Sequence, residues 1–123
     1  MVMSSSVPYL IRGLHEWILA NSCTPYLVLD AGFEGTIVPE EHIKDGQIVL
    51  NISPSAIRDL KIEPKFLSFS GRFQGVAMTI YAPIPSVLGI IARENGEGMW
   101  FPRDIEGEPE PPPRYRPKLK VVK

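Results

Sequence analysis

A single cysteine, Cys23, and only two histidines, His15 and His42, leave no means of forming an internal disulfide or a cysteine metal cluster. His15 adjoins Glu16 on a helical pattern, but adjacent helix positions point about 100° apart, and no nucleophile lies nearby in sequence. His42 follows Glu40 and Glu41 between Pro39 and a hairpin signal and reads as part of a solvated turn. There is no glycine-rich phosphate loop, nucleophile elbow or paired metal-ligand spacing, so the expectation is a protein without catalytic residues, metal or cofactor. No apolar run approaches the ~18 residues of a membrane span. The start, MVMSSSVPYL, lacks the basic and apolar regions of a secretory signal. A cytoplasmic location without membrane contact is therefore expected.

Positive charge is also scarce, except at one end. Residues 1–102 carry 7 basic and 10 acidic side chains, residues 103–113 carry 1 and 4, and residues 114–123 carry 5 and 0. The three segments thus have net charges of −3, −3 and +5. A body with that balance has no general field for phosphates, which argues against nucleic acid as a partner.

What the chain does have is periodicity. After Pro8, the segment YLIRGLHEWILANS places Leu10, Leu14, Trp17 and Ile18 at helical spacing, with Ile11 widening the stripe and proline in the first turn. So broad a stripe suits a core face that also serves a second subunit. Beyond Thr24-Pro25 the period falls to two, and YLVLD, GTIV, QIVLNI, FLSFSGRF, AMTIYA, LGIIA and MWF read as strands. Asp45-Gly46 and Asn95-Gly96 are turn pairs favoured in hairpins, and Pro83-Ile84-Pro85-Ser86 reads as a turn or one helical turn. One helix followed by six or seven short antiparallel strands predicts a mainly β, α+β domain, a small barrel or strongly bent sheet, over residues 1–102.

The end of the chain is of another kind. Six of the 13 prolines fall between Pro102 and Pro117, too dense for a helix interior or central strand. Residues 103–115 read as an acidic, proline-rich tether spanning roughly 40 Å at ~3.1 Å per residue. The basic ending RYRPKLKVVK sets Leu119, Val121 and Val122 among cations, the composition of a docking peptide that adds to a strand or fills a groove.

PYLIRGLHEWILAN, TPYLVLD, DGQIVLNIS, GRFQGV, IARENGEGMWF and the terminal RPKLKVVK, in that order, resemble the stringent starvation protein B (SspB) family. The resemblance implies an Sm-like barrel with an N-terminal helix, a homodimer, and an adaptor that captures ssrA-tagged polypeptides and hands them to the ClpXP protease. On that reading Leu10, Leu14, Trp17 and Ile18 form the dimer interface. Arg116, Pro117, Leu119, Lys120, Val121, Val122 and Lys123 dock on the N-terminal domain of ClpX. This chain has a shorter linker than is usual in the family, and Ser70-Gly71-Arg72-Phe73 where relatives commonly have Asn-Ala-Arg-Phe.

An extended, partly acidic tag calls for an apolar cleft with amide partners and a cation. Asn51, Ser53 and Ala56 on one side and Gly71, Arg72, Phe73 and Gln74 on the other are expected to face one groove. There Asn51 and Gln74 would hydrogen-bond the peptide, Ala56, Gly71 and Phe73 would shape the floor, and Arg72 would attract carboxylates. Two alternatives stay open on the sequence: a single-stranded RNA-binding module using Phe73, Arg72 and Lys65, and a structural or assembly protein without a peptide ligand.

Overall fold

A computed structural model describes residues 3–102. The linker 103–115 and the expected docking residues Arg116, Pro117, Leu119, Lys120, Val121, Val122 and Lys123 lie outside the described residues. The helix α1 spans Val7–Ala20, with Pro8 in its first turn, where a missing N–H costs no intrahelical bond. It buries Pro8, Ile11 and Ile18. Its end is fixed by Ser22, whose positive φ of 58° turns the chain so that the Cys23 amide donates to the Ile18 carbonyl at 3.0 Å.

Seven strands follow: β1 (Pro25–Asp30), β2 (Gln47–Asn51), β3 (Ile57–Ile62), β4 (Phe66–Phe73), β5 (Val76–Pro83), β6 (Val87–Ala92) and β7 (Gly98–Trp100). They divide into two antiparallel sheets, one in the order β2-β1-β6-β7 and the other β3-β4-β5. The expected mainly β body behind one helix is thus built as two sheets. The Asp45-Gly46 pair makes a two-residue turn, with φ of 55° and 75° and reciprocal Lys44–Gln47 backbone bonds. Gln74-Gly75, at φ 53° and 80°, joins β4 to β5 in the same way.

Two strand assignments differ from the sequence reading. GTIV is not a strand, because only Ile37 pairs, in an isolated bridge with Tyr81. Its neighbours Pro39, Glu40 and Glu41 divert the chain into a 3₁₀ turn over Glu40–His42. Conversely IRDLKI, too charged to stand out by hydropathy, is β3, interrupted by a register shift between Arg58 and Lys61 where Asp59 takes a φ of 57°.

Between the sheets, Leu27, Leu29, Ile48 and Ile90 meet Leu67, Phe69 and Ile80, and Ile11 and Ile18 of α1 join the same cluster. Phe69 is the largest fully buried side chain. Phe101, just past β7, is buried and donates its amide to the Leu88 carbonyl at 2.8 Å, so the described chain ends tied to the body.

The β6–β7 hairpin is clamped to the start of β1 by Glu94. Its carboxylate accepts the Thr24 amide and the Thr24 hydroxyl, both at 2.8 Å, with Arg93 at 3.3 Å. These bonds to the Thr24 backbone and hydroxyl hold the Glu94 carboxyl down from 4.5 to about 2. A depressed folded-state pKa contributes stability above the unfolded value, and that contribution is lost as pH falls from 4.5 towards 2. Glu94→Gln should therefore be less stable than the wild type at about pH 6, with the gap narrowing at about pH 2.5. Urea denaturation at the two pH values reads this directly. A gap that does not change with pH would show that the carboxylate is not the clamp.

Candidate functional site

The segment between β2 and β3 is shaped by Asn51 and Ser53. Asn51 Oδ1 accepts the Ser53 amide at 2.9 Å and the Ser53 hydroxyl at 2.7 Å, and the Ser53 carbonyl accepts the amides of Ala56 at 2.9 Å and Ile57 at 3.2 Å. The tight turn leaves Pro54, Ser55 and Ala56 exposed and sends Ile57 into the core. Register then sets Ile57 opposite Gly71 and Arg58 opposite Ser70.

Alternation in β4 decides what faces outward. Leu67 and Phe69 point inward, so Ser68, Ser70 and Arg72 share the outer face. On that face Arg72 stands opposite Ala77, Ser70 opposite Thr79 and Ser68 opposite Tyr81, whose ring stacks on Phe66 at 5.1 Å. Pro54, Ser55, Ala56, Ile57, Arg58, Ser70, Gly71, Arg72 and Ala77 line one cleft of about 610 Å³. Small residues form its floor and two exposed arginines flank it.

Of the sequence-predicted groove residues, Ala56, Gly71 and Arg72 come together in this cleft. Asn51 and Ser53 do not line it; their mutual hydrogen bonds build the turn that forms its wall. Phe73 lies behind it, half-buried against the core and 6.0 Å from the His42 ring. A Cβ on Gly71 would sit 3.2 Å from that Phe73 ring, so the glycine lets the aromatic close the floor from the inner side. Gln74 is exposed in the β4–β5 turn and outside the lining. Arg58 was missed by sequence reasoning. Its position opposite Ser70 follows from β3, which hydropathy did not reveal.

A second cavity, of about 660 Å³, is lined by Ala31, Thr36, Ile37, Val38, Pro39, Glu40, Glu41, Ile43 and Met78. It is the larger of the two but contains none of the predicted groove residues and no cation. Among the described residues Thr36 Oγ1 is a buried polar atom with no hydrogen-bond partner. No group of three or more His, Cys, Asp or Glu side chains among the described residues is placed to hold a metal, and no helix among them is long and apolar enough to cross a membrane.

On α1, Ile18 is only 1% exposed and belongs to the protomer's own core, and Leu14 is half-buried against it. Leu10 and Trp17 are open to solvent, Trp17 by 47%. His15, between the two faces, bonds the Ile52 carbonyl at 2.8 Å, linking α1 to the turn that walls the cleft.

A family model described as "Stringent starvation protein B" matches residues 5–119. The chain is also similar to a stringent starvation protein B homolog of Haemophilus influenzae (strain ATCC 51907 / DSM 11121 / KW20 / Rd). The two are 49% identical over 102 residues, which cover 82% of this chain and 68% of the relative.

Proposed function

The chain belongs to the stringent starvation protein B family, and on that premise we propose that it is a cytoplasmic, non-enzymatic adaptor that binds ssrA-tagged polypeptides and delivers them to the ClpXP protease. The observation that carries the reading is the cleft at Ala56, Gly71 and Arg72, where small residues allow close approach of an extended backbone and two unpaired guanidinium groups face a partly acidic tag. Asn51 and Ser53 hold the wall, Phe73 supports the floor, and Gln74 is left as an amide partner at the rim. Residues 1–102 would then be the peptide-binding domain, 103–115 the linker and 116–123 the ClpX-docking tail.

Replacing Arg72 by Glu should weaken binding of an ssrA peptide by at least the ~0.2–1 kcal/mol typical of exposed ion pairs, more at low salt than at high. Ala56→Leu should weaken it without salt dependence, by filling the same floor. Calorimetry of both folded variants decides the matter. Unchanged affinity in both would place the peptide elsewhere on the domain.

Delivery is assigned to the tail. Leu119, Val121 and Val122 would supply buried area, and Arg116 and Lys120 orientation and on-rate. A protein lacking residues 114–123 should bind the ssrA peptide as the full chain does yet no longer accelerate ClpXP degradation of a tagged substrate. Acceleration that survives the deletion would remove the tail from the mechanism.

A homodimer through α1 is supported by Leu10 and Trp17, apolar and open on the helix face away from the core, with Leu14 beside them; Ile18 contributes from beneath, by anchoring the helix. Trp17→Asp would place an unpaired charge in such an interface, at a cost of several kcal/mol. The expected outcome in analytical ultracentrifugation is a folded monomer where the wild type is a dimer. A dimeric Trp17→Asp protein would exclude this face.

A further inference from the structure

One edge of the β3-β4-β5 sheet is open, and the larger cavity lies beside it. The Ile37 amide donates to the Tyr81 carbonyl at 2.8 Å and the Tyr81 amide to the Ile37 carbonyl at 3.0 Å, so both Tyr81 groups turn away from β4. Alternate residues of an antiparallel strand point their backbone groups the same way, which sends those of Thr79 and Ala77 to that edge as well. A chain continuing from Ile37 in the same register would set residue 39 at Thr79 and residue 41 at Ala77. It does not, because Pro39 has no N–H to give and the next three residues form the 3₁₀ turn Glu40–His42. Among the described residues no other backbone bonds the outward groups of Ala77 and Thr79.

Sheet edges are ordinarily blunted by charge, proline or a bulge, because unpaired backbone groups invite another strand. The opposite edge follows that rule: β3 carries Arg58, Asp59 and Lys61 and a register shift. Residues 76–82 of β5 contain no charged residue and no proline, and Val76 is 67% exposed. Where the segment after Ile37 leaves the sheet, it opens the cavity of about 660 Å³, to which β5 contributes Met78 and the diverted segment Ile37, Val38, Glu40 and Glu41. Thr36, whose buried Oγ1 has no partner, lines the same space. Its charge is opposite to that of the cleft. Residues 31–43 hold Glu34, Glu40 and Glu41 and no lysine or arginine, whereas residues 57–73, the β3–β4 hairpin, hold four of the seven cations of residues 1–102.

From this we infer that β5 is a second polypeptide-docking edge, to which an extended segment of a partner protein adds as a strand and sets a lysine or arginine opposite Met78. The partner residues facing Ala77 and Thr79 exchange backbone bonds with them. The residue between shares the Met78 side of the sheet and enters the cavity, its aliphatic stem along Ile37, Val38 and Met78 and its charge at Glu40 and Glu41. Thr36 Oγ1 is an acceptor on the same wall. The carboxylates that favour this segment repel an acidic one, so the two recesses take ligands of opposite charge. The edge is separate from the cleft, and the inference does not rest on the cleft being the tag site.

The probe is the peptide acetyl-Thr-Val-Arg-Val-Thr-amide, added to the ¹⁵N-labelled full chain up to millimolar concentration and followed by amide NMR shifts. Shifts should gather at Ala77, Met78, Thr79 and residues 36–43, and spare Ala56 and Arg58. Replacing the central arginine of the probe by glutamate should weaken binding about 10-fold at low salt and much less at high salt. N-methylation of both valines, which removes the two donors facing β5, should weaken it at least about 10-fold at any salt. The E40Q/E41Q protein should bind the arginine probe about 3- to 10-fold less tightly at low salt, with its remaining amide spectrum unchanged. Saturating ssrA peptide should leave the probe in place. No shift at millimolar probe, shifts centred on Ala56 and Arg58, or an N-methylated probe that binds as the parent does would each overturn strand addition at β5. Displacement of the probe by the ssrA peptide would overturn a separate site.

Discussion

Everything on the surface of this domain depends on the apolar layer between the two sheets. Leu27, Leu29 and Ile90 on one side and Leu67, Phe69 and Ile80 on the other are almost completely withdrawn from water. Because side chains alternate strictly along a strand, a slip of one residue in β4 would bring Leu67 and Phe69 into solvent and carry Ser68, Ser70 and Arg72 into the core. Removing Phe69 from a packed core costs on the order of 3–5 kcal/mol, and burying Arg72 unpaired would cost several more. Register is therefore fixed, and with it the outward row that forms the cleft and the basic face.

The same constraint explains why the cleft is made largely of backbone and small side chains. The Asn51–Ser53 turn satisfies its polar groups locally, which lets the chain leave β2, expose Ala56 and return Ile57 to the core within a few residues. Gly71 then admits the Phe73 ring from behind. A recess with closed polar groups in its wall and an aromatic beneath it is rigid enough to receive an extended peptide without first ordering itself, and so avoids part of the entropic cost of binding.

Electrostatics divides the molecule along structural lines. The hairpin that presents the cleft is its basic part, the remainder is acidic, and the two charged segments that follow Pro102 carry opposite signs, −3 and then +5. Association with the basic face need not bury a large apolar area, because exposed ion pairs act more on orientation and rate than on tight affinity. The arrangement suits a protein whose contacts must form and dissolve repeatedly.

Much of this was legible in the sequence. Period 3.6 before Ser22 and period 2 after it, with Asp45-Gly46 at a turn, determined one helix and a run of antiparallel strands. The ordered blocks from PYLIRGLHEWILAN to RPKLKVVK determined the family. Hydropathy misjudged two segments for opposite reasons: GTIV is apolar but lies in a loop shaped by Pro39 and the following 3₁₀ turn, and IRDLKI is charged but gains its pairing from β4. Residue identity also could not say that Ile18 goes into the core while Trp17, its neighbour, remains 47% exposed, because a stripe that broad does not reveal where the sheet will meet it. Arg58, 14 residues from Arg72 in sequence, reaches the same cleft only through the β3–β4 register. The local periodicities and turn residues were set by short-range sterics and hydrogen bonding, which a sequence records directly. Which cations share a face was decided by the pairing of strands around one buried layer, which exists only in the folded chain.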